Sequence, residues 1–281
     1  MCIRDSSYFF VNLAVLFASF LLGFKKIIII QDYRVGNDFK FSAKFHDKVS
    51  GLFVKFYDFV LPVTDALATK LKVGKRKFSV FPGAMESSKP YQLKYNVERD
   101  RSKDSVIVLY AGALESYNGV DRLLDVWPSI KENVHLVIYG KGSLMREVEH
   151  YSQRFKNIHY KGFATKEEVH KKMLVSDFNV CLRYAKGIDE RFFFPSKFFS
   201  INCYPGFALV NEFYGLPEGF KSIGLLVDSD LENLPSLFEK NIDFLRGKTR
   251  ERQDYLFSKY RWAAIFKGVL SGFDNTKPPI C

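Results

Sequence analysis

Arg183, Arg191 and Lys197 stand close together in the second half of the chain, and Phe192-Phe-Phe-Pro-Ser-Lys197 joins the last two. Pro195 suits the first turn of a helix, where its missing N–H is not needed and its φ is already helical, and Lys197 then falls in that turn. A helix N-terminus carries partial positive charge, so cations there cost about 0.3–1 kcal/mol unless an anion sits between them. Free N–H groups, a helix dipole and convergent basic side chains together describe a phosphate site. A buried helix with solvated flanking charges is the plainer account of the same residues. The neighbouring sequence favours the phosphate site.

Other candidate chemistry is sparse. Gly140-Lys141-Gly142 follows a strand and precedes a helix, but the third glycine of a dinucleotide fingerprint is replaced by Met145, and no acidic residue stands at a strand end further on. Walker A, HExxH and GxSxG patterns are missing, and the five histidines do not pair at ligand spacing, which reads as structural or surface roles. Cys2, Cys181, Cys203 and Cys281 lack CxxC spacing and read as reduced cysteines, with no disulfide frame and no metal site. Gln31 and Asp32 sit at the C-terminal end of an apolar run, where α/β sheets place ligands.

The elements that must position these residues follow from periodicity. The chain has 281 residues, 47% hydrophobic and 16% aromatic, enough for a large core. Its +11 charge is uneven: residues 1–100 hold 16 Lys+Arg against 9 Asp+Glu, which points to an anionic partner such as a membrane surface or a phosphate-bearing substrate. Nucleic acid is disfavoured, because no zinc-finger spacing, RNP-type aromatic motif or reading helix is present. Met1–Ser6 has no apolar or amphipathic pattern and is set aside as a leader. Ser7–Phe24 is apolar and runs into Ile27–Ile30, which reads as helix then buried parallel strand, with a membrane span as the weaker alternative.

Residues 41–57 read as an amphipathic helix with Phe45, Val49, Leu52, Phe53 and Phe56 on one side. Phe59–Val63 reads as a strand, Thr64 as a helix start, and Phe78–Phe81 as a third strand. Met85–Asp104 is polar without a hydrophobic period, a linker signature. From Ser105 strands and helices alternate: strands at 105–110, 135–139, 179–182, 207–210 and 224–227, with Ser143 as a helix cap and Thr165-Lys-Glu-Glu168 as a capping box. Residues 192–201 read as the helix after the basic loop, and a long helical tail runs from Gln253 to about Phe273. The pattern is α/β with a parallel, doubly wound sheet.

Several of these blocks, taken together, carry a resemblance. Val108-Leu-Tyr-Ala-Gly-Ala-Leu114, Gly119-Val-Asp-Arg-Leu-Leu124, Val137-Ile-Tyr-Gly-Lys-Gly142, Tyr160-Lys-Gly-Phe163 and Phe194-Pro-Ser-Lys-Phe198 resemble, in order and spacing, the family 4 glycosyltransferases of GT-B fold. Asp58–Asp65 and Phe78–Gly83 look like the last strands of the acceptor domain of that family. The resemblance implies a retaining enzyme with two Rossmann-like domains, using an NDP-sugar donor, requiring no metal or other cofactor, and acting on a glycan or lipid-linked acceptor in cell-surface polysaccharide synthesis at the inner membrane face. It implies a partial acceptor domain over 1–90, a linker over 91–104, a donor domain over 105–252 and a tail over 253–281 crossing back to the first domain. With only about 85 residues before the linker, the acceptor domain is expected to lack its first strands.

For the site, the resemblance implies catalytic roles for Arg183, Lys197 and Glu190. Substrate contacts are expected from Gly112, Asn118, Gly119, Gly140, Lys141, Gly142, Gly162, Phe163, Pro195, Ser196, Ser200, Gln31 and Asp32. The departures are specific. Phe192 and Ser200 occupy positions where the family usually has Glu, leaving Glu190 as the nearby substitute and Ser200 as a weak ribose ligand. Ala113 and Asn118 stand where Arg and Lys are frequent, and Gln31 where His is frequent. A non-catalytic nucleotide-sugar-binding relative is the first alternative; an NAD-type dehydrogenase is the second, disfavoured by the broken glycine fingerprint.

Overall fold

The computed structural model describes residues 2–4, 9–31, 33, 41–74, 78–85, 105–184, 189–223, 225–239 and 242–274. Most of the expected linker lies outside them. The chain forms two compact units: Met1–Ala84 with Gly187–Ser196 and Ser258–Cys281, and Met85–Lys186 with Lys197–Phe257.

In the first unit, β2 (Ile27–Ile30) lies between β1 (Cys2–Arg4) and β3 (Phe59–Pro62) in a parallel sheet, with Cys2 opposite Ile27 and Ile27 opposite Phe59. Cys2–Arg4, set aside as a leader on sequence grounds, is therefore a strand. Its pairing uses main-chain groups along the edge of β2, so it needs no hydrophobic pattern of its own. The helix expected before β2 is α1 (Phe9–Leu22); Asn12, inside its apolar run, is buried and accepts from the Tyr57 hydroxyl at 2.7 Å. Among the described residues no helix is long and apolar enough to cross a membrane.

The next helix, α2 (Phe41–Phe53), passes into a 3₁₀ turn over Val54–Phe56. Its expected apolar stripe is not a core face: Phe45, Leu52 and Phe56 are exposed, while Val54 and Tyr57 are buried. Thr64 caps α3 (Asp65–Lys70) as expected, taking the Leu67 N–H at 3.2 Å. The strand expected at 78–81 shrinks to a single bridge between Phe78 and Val60. Phe81 still donates to Pro62 O at 2.8 Å, but Pro62 has no N–H to return a bond, so the ladder is one-sided.

In the second unit six strands are all parallel: β4 (Val106–Ala111), β5 (Val134–Tyr139), β6 (Ile158–Tyr160), β7 (Phe178–Cys181), β8 (Phe207–Asn211) and β9 (Leu225–Val227), in the order β6-β5-β4-β7-β8-β9. Counting from β4 this is the 3-2-1-4-5-6 order of dinucleotide-binding sheets, whose direction reverses between β4 and β7 and opens a crevice at the C-terminal strand ends. Every residue of β7 and β8 is buried, as continuous apolar runs in a two-sided parallel sheet require. Val108, Trp127, Leu136, Ile138, Val180 and Leu209 belong to one core that the helices close. Those helices are α4 (Val120–Val126), α5 (Met145–Arg154), α6 (Lys166–Val175), α7 (Lys197–Asn202), α8 (Glu218–Ile223) and α9 (Leu234–Glu239).

Two helix expectations need correction. Residues 192–201 do not form one helix: α7 starts at Lys197, and Pro195 and Ser196 precede it. Proline disfavours helical geometry in the residue before it, here Phe194, and one position earlier Phe193 is extended at φ −135 and ψ 152. The tail is two helices, α10 (Ile242–Tyr260) and α11 (Trp262–Asp274). Within the first unit, α11 lays Ile265 and Val269 on Ile29, Phe59, Leu61 and Phe81.

Candidate functional site

A cavity of about 530 Å³ opens at the C-terminal ends of β4 and β5 within the second unit. It is lined by Ala111, Gly112 and Ala113 after β4, Tyr139, Gly140 and Lys141 after β5, Phe163 and Ala164 after β6, Lys166, Val169, His170 and Met173 on α6, and Ser200 on α7. The volume falls in the range of small-molecule sites.

Glycine makes the walls possible. Gly140 has φ 151, and a Cβ there would collide with Gly112 O and lie 3.0 Å from Gly112 C. A Cβ on Gly142 would lie 2.7 Å from Leu114 N. The loops after β4 and β5 thus interlock backbone against backbone, joined by Gly112 N–H to Tyr139 O at 3.0 Å, Leu114 N–H to Lys141 O at 2.9 Å and Leu144 N–H to Leu114 O at 3.0 Å. Ser143 does not cap α5 with its own side chain. Instead Glu115 accepts its N–H at 3.0 Å and also its hydroxyl.

Lys197 lies under this interlock. Its Nζ is 4.2 Å from the Tyr110 ring centroid, and a Cβ on Gly112 would meet that Nζ and lie 2.9 Å from Cε. Among the described residues no carboxylate pairs with it. Burial penalises the ammonium form and pushes its pKa down to about 8, only partly opposed by the Cys181 thiolate charge. Cys181 is itself pushed up to about 11 by burial, so near neutral pH it is a thiol and supplies no such charge. The Tyr110 hydroxyl, held protonated by burial, donates to Ala113 O at 2.6 Å.

The other expected residues separate into groups. Gly112, Gly140, Lys141, Phe163 and Ser200 line the cavity; Phe163 is 70% exposed with Lys141 Nζ 4.9 Å over its ring, and Ser200 Oγ donates to Lys197 O at 3.1 Å. Asn118, Gly119, Gly142, Gly162, Arg183 and Lys197 itself do not line it, Lys197 lying behind Gly112. Asn118 donates to Ala113 O at 3.0 Å, Gly119 (φ 70) packs against Leu182, and Gly162 (φ 71) accepts from Gly140 N–H at 2.9 Å. Arg183 is anchored by Asn211, which accepts its N–H at 2.7 Å, and its guanidinium is 5.1 Å from the Tyr117 ring.

Gln31, Glu190, Pro195 and Ser196 belong to the first unit, and Asp32 lies outside the described residues. Glu190 begins a 3₁₀ turn ending at Phe192. Arg191, one of the three basic residues noted in the sequence, forms an ion pair with Asp189 at 2.7 Å; the hydrogen bond from Arg191 holds Asp189 below the usual carboxylate range.

Tyr110, Glu115, Tyr139 and the α6 residues were not anticipated as parts of the site. The Thr165–Glu168 capping box was legible and is formed, and it fixes Val169, His170 and Met173 on one face of α6. His170 stacks on Tyr204 with centroids 5.6 Å apart, its Nδ1 against the hydroxyl. His135 Nδ1 and His159 Nε2 are 3.1 Å apart across β5 and β6, a side-chain contact between neighbouring strands that linear spacing does not reveal. Among the described residues no cluster of three or more His, Cys, Asp or Glu could hold a metal ion.

Residues 105–189 match the model of the family described as glycosyl transferases group 1. That segment holds both glycine loops and the strands that carry them. These residues carry a glycosyltransferase sequence pattern on a GT-B fold. Among solved structures, the UDP-forming alpha,alpha-trehalose-phosphate synthase of Burkholderia vietnamiensis aligns with 98% of this chain and 74% of its own, at 13% identity and TM-score 0.66. HepE of Anabaena in complex with UDP aligns over 98% and 78% at 12% identity and TM-score 0.64, and the sucrose-phosphate synthase of Thermosynechococcus elongatus over 98% and 72% at 15% and 0.65. At these identities the GT-B likeness is one of fold. No curated protein sequence matches the chain.

Proposed function

We propose that this chain is a glycosyltransferase that takes its sugar from an NDP-sugar, with the nucleotide half of the donor in the cavity of the second unit. The observation that carries the reading is Lys197: a partly buried ammonium without a carboxylate partner among the described residues, packed against Gly112, which lines the cavity at the switch point of a 3-2-1-4-5-6 sheet. An anion there restores the charged form that burial disfavours, and the negative charge growing on a departing diphosphate strengthens the same contact in the transition state. Support also comes from the group 1 match over the glycine loops and from UDP in the HepE structure.

The finer reading is a retaining transfer to a glycan or lipid-linked acceptor for cell-surface polysaccharide, needing no metal, with Glu190 as the candidate for the first family carboxylate. Peripheral contact with an anionic membrane is supported by the basic first hundred residues and by exposed Phe17, Phe20, Leu21 and Leu22 on α1. A binding-only relative is the second reading, favoured by Phe192 and Ser200 at positions where the family has Glu.

Calorimetry with UDP, GDP, ADP and their sugars tests the donor site: heat with one base series is expected, and none with any of them rejects it. A turnover assay with the NDP-sugar that binds then separates the two readings. Sugar transfer supports the enzyme, and binding without turnover over a panel of acceptors supports the binding-only relative.

A further inference from the structure

The approach to the N-terminus of α5 holds a carboxylate from within the chain. Its cap position, Leu144, offers no side-chain acceptor, and one residue before it Glu115 from the loop after β4 takes both the N–H and the hydroxyl of Ser143. In α/β proteins a Gly-x-Gly turn between strand and helix is where a ligand's phosphate otherwise meets free N–H groups. A carboxylate and a phosphate compete for the same helix end, since both are drawn by the same donors and the same dipole. The flank is shut as well, because the Leu114 backbone packs on Gly142 too closely to admit even a Cβ. On the other face of the interlock the situation is reversed: Gly112, also lacking a side chain, faces the Lys197 ammonium.

We infer that Glu115 is a positioning residue, a built-in anion that keeps a ligand's phosphate off the α5 N-terminus and holds the Gly112 and Gly140 loops so that the phosphate is directed to Lys197. Its ligand rests on the nucleotide-sugar reading above; the seal on α5 does not. The carboxylate acts by excluding a like charge and by fixing two backbone loops, and it touches no reacting atom.

The test uses the full chain, with inorganic phosphate and UDP as probes and backbone amide NMR shifts as the readout, on wild type, Glu115→Gln, Glu115→Ala and Lys197→Ala. In wild type, phosphate should move the Gly112 amide and leave Ser143–Met145 unmoved, and Lys197→Ala should abolish the Gly112 response. In Glu115→Ala the Ser143–Met145 amides should respond to phosphate, and UDP should bind about five- to tenfold more weakly, the scale of a lost helix cap. Glu115→Gln keeps an acceptor for the Ser143 N–H but no charge; it should admit phosphate at the same amides, more weakly, and it decides the matter if the alanine variant does not fold. Phosphate on Ser143–Met145 in wild type overturns the inference, as do Glu115 variants that neither gain that response nor lose UDP affinity. If wild type binds no UDP the nucleotide reading falls, and the phosphate response alone decides whether Glu115 seals α5.

Discussion

Lys197 ties stability to function at a single residue. Its pKa is about 8 in the folded chain against an ordinary 10.5, so at neutral pH the folded protein holds a charge that its surroundings disfavour. The cost is fully present below pH 8. Between about 8 and 10.5 the unfolded chain binds a proton that the folded chain has lost, so stability rises with pH in that window. Lys197→Met should therefore raise the unfolding free energy at pH 7 by about 1–3 kcal/mol while removing about 1.5–3 kcal/mol of NDP binding, read by urea denaturation and calorimetry. A variant that loses both stability and affinity would show that the lysine is satisfied by the protein itself. NDP affinity in wild type should also decline as pH rises above 8, a step that Lys197→Ala lacks; a pH-independent affinity over 7–9 counts against the charge role. Lys141→Ala should weaken binding clearly less, since Lys141 is exposed and rests over Phe163; equal losses at both lysines place the diphosphate elsewhere.

Lys197 was legible because Phe-Pro-Ser-Lys is a local pattern. Tyr110 beneath it was not, since nothing in the linear chain brings the two together. The Arg191–Asp189 pair was not read from the sequence, although the two residues stand only two positions apart.

Among the elements, the loops after β4, β5 and β6 decide the shape of the cavity, and their glycines differ in what they tolerate. Gly140 combines positive φ with backbone contact to Gly112, so Gly140→Ala should lower stability by about 2–4 kcal/mol. Gly162 has φ 71, but an added Cβ would meet nothing within 4 Å, so Gly162→Ala encounters only backbone strain, about 1–2 kcal/mol. Chemical denaturation of the two variants measures the gap, and equal costs would mean that the interlock is not tight. Alternating periods of two and 3.6 residues made the strands and helices of the second unit readable, and the capping box at Thr165 located α6 to the residue. Reading failed where one element depends on another. Pro62 in β3 removes half of a ladder to residues 78–81, Pro195 keeps the residue before it out of α7, and Glu115 from another loop holds the Ser143 that was expected to cap α5.

At the scale of the whole molecule, the α/β class followed from the alternation of periods, but the strand order did not, because neighbours in a parallel sheet are set by crossovers and not by sequence adjacency. The assignment of α11 to the first unit has a direct consequence for stability. Val269, near the end of the described chain, is fully buried against the sheet that begins with β1, and Ile265 and Trp262 pack beside it, Trp262 at 5.3 Å from the Phe81 ring. A carboxylate at position 269 would have to be buried unpaired among Ile29, Phe59, Leu61 and Phe81 or else expel the helix, so Val269→Asp should cost the first unit about 3–5 kcal/mol. Amide hydrogen exchange should then accelerate in β2 and β3 while β4, β5 and β7 stay protected. NDP binding should survive, because every residue lining the cavity belongs to the second unit. If β4, β5 and β7 lose protection in parallel with β2 and β3, the two units unfold as one, and stabilising α11 becomes a route to stabilising the donor cavity as well.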